Sequence, residues 1–317
     1  MARNRIKTGS LTRQKKVELE KKLAIGVSKH QEKRKNENRQ SDKIHSWATY
    51  KTYQKWANRF ANDCKEKYGC KTLDECREHV KTWIIEQKEQ GISPCTQKMC
   101  VSALAKLYGC SGKDFNVKTD VRHRADITRS RGEKERDKHF SEKNHDDLVS
   151  FARSTGLRRA ELTALTGDKL IKEDGIYKIK VNAGSKGGRP RNTPIIGTQK
   201  EIERVVERMR AVGIEKVFER VTLAADIHSY RADYATKYYK QIARDIKDIP
   251  FDKVNKGTGR EYQSEVYSCR EDMKGIKFDK VAMLEVSKAL GHNRISVIAG
   301  HYLRDVQEVI EEIEEVE

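Results

Sequence analysis

Six side chains in the second half of the chain are of types suited to neutralising an anion and moving protons. Arg158 stands in the run Thr155-Gly156-Leu157-Arg158-Arg159-Ala160-Glu161-Leu162. Lys186 occupies the glycine-rich turn Gly184-Ser185-Lys186-Gly187-Gly188. His228 and Arg231 share the tetrapeptide His228-Ser229-Tyr230-Arg231. His292 closes Leu290-Gly291-His292, and Tyr302 follows it downstream. A guanidinium offers a planar fork of donors and stays charged at all working pH values. A phenol is an oxygen nucleophile that is also a fair leaving group. Taken singly, each motif is weak. An arginine after a glycine is usually a surface charge, and a lone histidine a partly buried filler. The glycine-rich turn lacks the GxxxxGK[ST] spacing and the following helix of a phosphate loop.

The elements that must position these residues fall in two blocks. Residues 41–112 read as a compact helical domain. Tyr50, Tyr53, Trp56, Phe60 and Cys64 recur at spacings of three and four, which places one stripe on one helix face. A second helix is expected from Leu73 to about Gln90, with Val80, Trp83, Ile84 and Ile85 inward, broken by Gly91-Ile92-Ser93-Pro94. A third runs from Thr96 through Val101, Leu104 and Leu107 to Gly109. Residues 137–317 form the second block. Its helical patterns surround a hairpin signal: Gly175 to Val181 alternates apolar and basic residues, 184–188 turns, and Thr193-Pro194-Ile195-Ile196 returns. Helices are expected around Lys200–Val212, Tyr230–Ile246 and Lys280–Leu290. Residues 1–40 are basic and poor in large apolar side chains, so they read either as an arm that grasps a polyanion or as a solvated charged segment. Residues 113–136 read as a basic linker.

Charge narrows the partners. The 317 residues carry a net charge of +18 and a sequence pI of about 9.5. So large a surplus favours a polyanion, because each neutralised phosphate releases counterions. Nucleic acid leads and an anionic membrane surface is second. No stretch approaches the ~18 apolar residues of a membrane span, and the N-terminus lacks the apolar core of a signal peptide. A soluble, cytoplasmic protein is expected. Six of the seven cysteines lie between Cys64 and Cys110 without a CxxC pair. Their spacing, with or without His79, matches no standard zinc module, so free thiols in a reducing compartment are expected.

In this order the motifs resemble the tyrosine recombinases, the family that includes phage-type integrases. The resemblance is specific over residues 154–302 and architectural over 1–112. It implies a mainly α fold with a small β-sheet: a helical core-binding domain and a mixed α/β catalytic domain, closing on DNA as a C-shaped clamp. It implies that Arg158 and Arg231 neutralise the non-bridging oxygens of a phosphodiester. Lys186 is the implied general acid for the leaving 5′-oxygen, and His228 and His292 are implied to hydrogen-bond the phosphate and to help deprotonate Tyr302. Tyr302 is the implied nucleophile, forming a 3′-phosphotyrosyl link. Glu161, three residues after Arg158 on the same helical face, can orient the guanidinium. No metal, nucleotide or other cofactor is implied. The implied partners are double-stranded DNA and further copies of the chain, as a tetramer on two DNA sites. Integration or excision of a mobile element fits best. A chromosome-dimer resolvase, a type IB topoisomerase and a non-catalytic DNA-binding regulator are the alternatives.

Three features depart from the family pattern. Ala232 follows Arg231 where a histidine is common. Arg231 and His292 are separated by an excess segment, about residues 245–278, in which Glu261 to Ser268 has strand character. Its expected role is either a tolerated surface insertion or a contact to DNA or a neighbouring subunit. Tyr302 lies one position later than the family spacing from His292, and His301 takes the usual place. The acidic, amphipathic segment 303–317 is expected to form a C-terminal helix that docks on protein, either in cis or on a neighbouring protomer.

Overall fold

The computed structural model describes residues 9–37, 40–123, 140–182, 190–292 and 294–303. It divides into two compact units, Met1–Arg122 and His123–Glu317.

The first unit is helical. It contains α1 (Leu11–Glu20), α2 (Lys29–Lys35), α3 (Trp47–Tyr68), α4 (Leu73–Arg77), α5 (Val80–Glu89) and α6 (Pro94–Tyr108). Side-chain caps fix where the helices begin: Ser46 accepts from the Thr49 N–H at 3.2 Å, and Thr72 and Glu75 form a reciprocal capping box. Ser93 and Pro94 start α6, which Gly109 ends in the left-handed conformation. The aromatic stripe of α3 faces inward as its spacing predicts. Tyr50, Phe60 and Cys64 are buried, and Tyr53 and Trp56 pack against the same core. Phe60 meets Trp83 edge-on at 5.3 Å, and the Trp83 indole N–H donates to Asp63 at 2.6 Å. The expected 73–90 helix is two helices. Leu73 and Cys76 anchor the first, and the chain turns at Glu78 and His79 so that Val80, Trp83 and Ile84 face the core while Ile85 is exposed.

The N-terminal segment differs from an arm. Leu11 and Leu19, eight residues apart on α1, are buried in this core, so two large side chains suffice to dock an otherwise charged helix. The expected linker also starts later: Phe115 is buried in the same core, and Asp120 accepts hydrogen bonds from Gln97 and Lys88.

The second unit holds α7 (Asp146–Thr155), α8 (Arg159–Ala164), β1 (Leu170–Glu173), β2 (Ile176–Val181), β3 (Arg191–Pro194), α9 (Gln199–Val212) and α10 (Ile227–Ile242). It continues with β4 (Lys253–Val254), β5 (Glu261–Tyr262), β6 (Val266–Ser268), β7 (Lys277–Asp279), α11 (Lys280–Ala289) and α12 (Ser296–His301). Strands β1–β2–β3 form an antiparallel sheet with Leu170 opposite Ile179 and Ile179 opposite Thr193. Strand β1 was not expected; the Asp174-Gly175 turn, with positive φ at both residues, joins it to β2. Among the described residues the fold is mainly helical with small sheets.

The excess segment is not one surface insertion. Its β4–β5 hairpin is exposed, with Val254 56% and Tyr262 45% accessible. Its second part closes a core: Cys269, Met273, Ile276 and Phe278 pack with Met283, Val286 and Leu290 of the α11 region. Asp279 then caps α11 and receives two guanidinium bonds from Arg244, at 2.8 and 2.9 Å. Leu303 is buried, and residues 304–317, where a C-terminal helix is expected, lie outside the described residues.

Candidate active site

The Thr-Gly-Leu-Arg segment is shaped by what it passes. Gly156 ends α7 at φ +59°, and a Cβ there would lie 2.4 Å from the Tyr234 ring. Only glycine fits both constraints. Its carbonyl accepts a hydrogen bond from Arg231 Nη1. Two residues on, Arg158 takes the N-cap position of α8, and its N–H donates to Glu161 Oε2 at 2.8 Å. The Arg158 guanidinium donates to Glu161 Oε1, also at 2.8 Å.

Arg191 completes this arrangement and was missed by sequence reasoning. It donates through both terminal nitrogens to the Glu161 carboxylate, at 2.9 and 2.8 Å, and through Nε to the Ala289 carbonyl at 2.7 Å. No local motif marks it; its strand register does. Arg191 and Thr193 pair with Val181 and Ile179, the buried side of β2, so this arginine points inward and needs an acid there. Glu161 is 2% exposed. Burial pushes its carboxyl upward, but the bonds from Arg191 and Arg158 outweigh that and hold it at about 2.

Arg231 lies on the second turn of α10, 1% exposed. Beyond Gly156, it donates through Nη2 to the Leu290 carbonyl and through Nε to Tyr302 Oη at 3.4 Å. Burial lowers its guanidinium to about 10, which leaves it charged at neutral pH. His292 follows Gly291, a residue at φ +65° whose absent Cβ makes room for the Arg191 side chain. The His292 N–H donates to the Ser287 carbonyl at 2.8 Å, which fixes the loop. His292 Nε2 lies 3.2 Å from Tyr302 Oη and 3.4 Å from Arg231 Nη2. Burial, then the nearby Arg231, Arg158 and Arg191, hold this imidazole down to about 3. It is therefore neutral at pH 7, and the free form of Nε2 can accept a hydrogen bond from its neighbours.

Helix α12 ends at His301, and Tyr302 sits at its C-cap with its N–H bonded to the Ile298 carbonyl at 2.9 Å. Thr236 Oγ1 holds the Tyr302 carbonyl at 3.2 Å. The short helix turns the phenol toward Arg231 and His292. The Arg231 guanidinium carbon is 5.6 Å from the centre of the Tyr302 ring.

The structure thus brings Arg158, Glu161, Arg231, His292 and Tyr302 into one connected cluster. His228 is on the first turn of α10, one turn before Arg231, and is exposed. Lys186 lies outside the described residues. A phenol beside a guanidinium is stabilised as phenolate, and the neighbouring imidazole becomes a better base once a bound anion offsets the arginines that depress it. A second guanidinium nearby can neutralise an incoming anion. All seven cysteines are free thiols, and no group of three or more metal-ligating side chains occurs among the described residues. No described helix is long and apolar enough to cross a membrane.

No protein-family model and no curated protein matches the chain. Among solved structures it is similar to a fragment of the Tn1549 transposon integrase in complex with transposon right-end DNA, at 12% sequence identity and TM-score 0.44, covering 97% of this chain and 99% of that one. The XerH site-specific recombinase bound to a palindromic difH substrate gives 14% identity and TM-score 0.43, covering 96% and 95%. The XerA recombinase gives 12% identity and TM-score 0.29, covering 85% and 93%.

Proposed function

We propose that the chain is a tyrosine-type site-specific DNA recombinase, which cleaves and rejoins double-stranded DNA through Tyr302. The observation that carries this reading is the placement of the Tyr302 phenol between the Arg231 guanidinium and the His292 imidazole, at 3.4 and 3.2 Å. In the first step Tyr302 Oη gives up its proton, with His292 as acceptor once the bound phosphate offsets the arginines that depress it, and attacks the scissile phosphorus. The Oη–P bond forms and the P–O5′ bond breaks. The 5′-oxygen leaves with a proton from Lys186, on the β2–β3 connection. Arg158 and Arg231 neutralise the charge that builds on the non-bridging oxygens, each worth a few kcal/mol in the transition state. His228 hydrogen-bonds the same phosphate. The 3′-phosphotyrosyl link keeps the bond energy, so attack by a 5′-hydroxyl of another strand reseals the DNA and frees Tyr302. The groups named supply the acid, the base and the charge neutralisation.

The net charge of +18 suits a phosphate-rich partner. The helical first unit would serve as a core-binding domain and, with the catalytic unit, enclose the duplex as a C-shaped clamp. Strand exchange would take place in a tetramer on two sites, with segment 303–317 docking between protomers. Integration or excision of a mobile element is the biological setting we favour.

The test is a set of nicked duplexes tiling the DNA on either side of the chain's own coding sequence. Cleavage next to a nick releases a short 5′-hydroxyl fragment and traps the covalent adduct. The reading predicts an adduct with at least one duplex, lost in Arg158→Ala and Arg231→Ala while DNA binding persists. DNA binding without any adduct across the set would contradict it and favour a non-catalytic regulator.

A further inference from the structure

We propose that Arg191 is a positioning residue, which fixes both the Arg158 guanidinium and the His292 loop where the phosphate reacts; this rests on the reading of the site given above. Arg191 bonds to both sides of the cluster, as Arg231 does through Gly156 and Leu290, but it does so through the carboxylate that holds Arg158. Its terminal nitrogens grip Glu161, and through Glu161 they set Arg158. Its Nε holds the Ala289 carbonyl at the end of α11, just before Leu290-Gly291-His292. Gly291 leaves room for it, since a Cβ there would lie 3.1 to 3.3 Å from the Arg191 side chain.

Charge explains why a second arginine is needed. Glu161 alone with Arg158 would make a neutral pair, and a neutral pair is a weak anion site. Bidentate Arg191 satisfies the buried carboxylate, so that Arg158 keeps a surplus charge for a phosphate while its orientation stays fixed. Three donors in one planar fork serve two acceptors, the Glu161 carboxylate and the Ala289 carbonyl, which a lysine cannot reproduce. Arg191 also begins β3, opposite Val181 at the end of β2, so the same side chain anchors one end of the connection that carries Lys186. Arg191 does not need to touch the substrate for any of this.

The experiment compares Arg191→Gln, Arg191→Lys, Glu161→Gln and the double variant Arg191→Gln/Glu161→Gln. Adduct-forming rate and DNA affinity are measured on the duplex that traps the intact protein. Displacement of reacting groups by about an ångström predicts a loss of rate of ~10- to 100-fold with affinity within about twofold. The double variant, which removes the buried carboxylate with its partner, should be no slower than the slower single variant. It should also recover thermal stability relative to Arg191→Gln, so a folding defect is separated from a positioning one. Single-variant rates within twofold of the intact protein, a double-variant loss equal to the product of the single losses, or rates that recover in step with stability would overturn the proposal.

A second readout needs no reaction. Glu161 faces Arg158 and Arg191, with Arg231 beyond them, and loss of Arg191 should make Arg191→Gln lose stability at a higher pH than the intact protein as acid is added. An unchanged acid profile would overturn the hold on Glu161. If the intact protein forms no adduct on any duplex, the recombinase reading fails, and the acid profile still decides whether Arg191 governs Glu161.

Discussion

Glu161→Gln isolates the charge at the centre of the site. The carboxylate is 2% exposed and accepts from the Arg158 N–H, the Arg158 guanidinium and two nitrogens of Arg191. Its titration falls from the ordinary 4.5 to about 2. At ~1.4 kcal/mol per pH unit, that fall corresponds to about 3 kcal/mol of native stability. The sign follows from the depressed native value: the contribution is fully present above the ordinary carboxylate range near pH 4.5 and is lost as pH falls through about 2. At pH 7 the substitution also leaves two guanidiniums without their carboxylate, so a total cost of ~3–5 kcal/mol is expected. The gap between the intact protein and the variant should then narrow by about 3 kcal/mol between pH 5 and pH 2. Chemical denaturation followed by far-ultraviolet circular dichroism at a series of pH values measures both quantities. Trp47, Trp56 and Trp83 all lie in the first unit, so tryptophan fluorescence reports that unit separately. A variant within 0.5 kcal/mol of the intact protein at pH 7, or a gap that does not change with pH, would refute the reasoning.

Gly156→Ala should cost ~2–4 kcal/mol, because it combines a positive φ with a Cβ at 2.4 Å from Tyr234. Gly175→Ala, where a Cβ meets nothing within 4 Å, should cost only about 1 kcal/mol in the same melts. Phe278→Ala should cost ~3–4 kcal/mol, since Phe278 is 7% exposed within a core. Val254→Ala, on the exposed hairpin of the same excess segment, should stay within about 0.5 kcal/mol. Equal effects at Phe278 and Val254 would contradict the division of that segment into a core half and a surface half.

Much of this was readable in the chain. The α3 stripe, the Gly91-to-Pro94 break and the Gly109 stop follow from local spacing and turn chemistry, and the structure keeps them. The Thr-Gly-Leu-Arg and Leu-Gly-His segments pointed to residues that the fold does bring together. What was not legible depends on partners distant in sequence. Two leucines on α1 were too few to announce a packed helix, and only the groove they enter makes them core. Arg191 carries no local mark, and only its strand register turns it inward against Glu161, 30 residues away. The core half of the excess segment was not legible because its apolar residues, Met273, Ile276 and Phe278, show neither helical nor strand periodicity. Tyr302 remains one position later than the family spacing, and only the course of α12 reveals its phenol beside Arg231 and His292.

The central claim is that Tyr302 is the atom-bearing nucleophile, and the direct measurement is to map the trapped adduct. After nuclease trimming and proteolysis, mass spectrometry should find a nucleotide joined to the peptide that contains Tyr302, and Tyr302→Phe should form no adduct while binding the same DNA. An adduct mapped to another residue, or one that persists in Tyr302→Phe, would contradict the account.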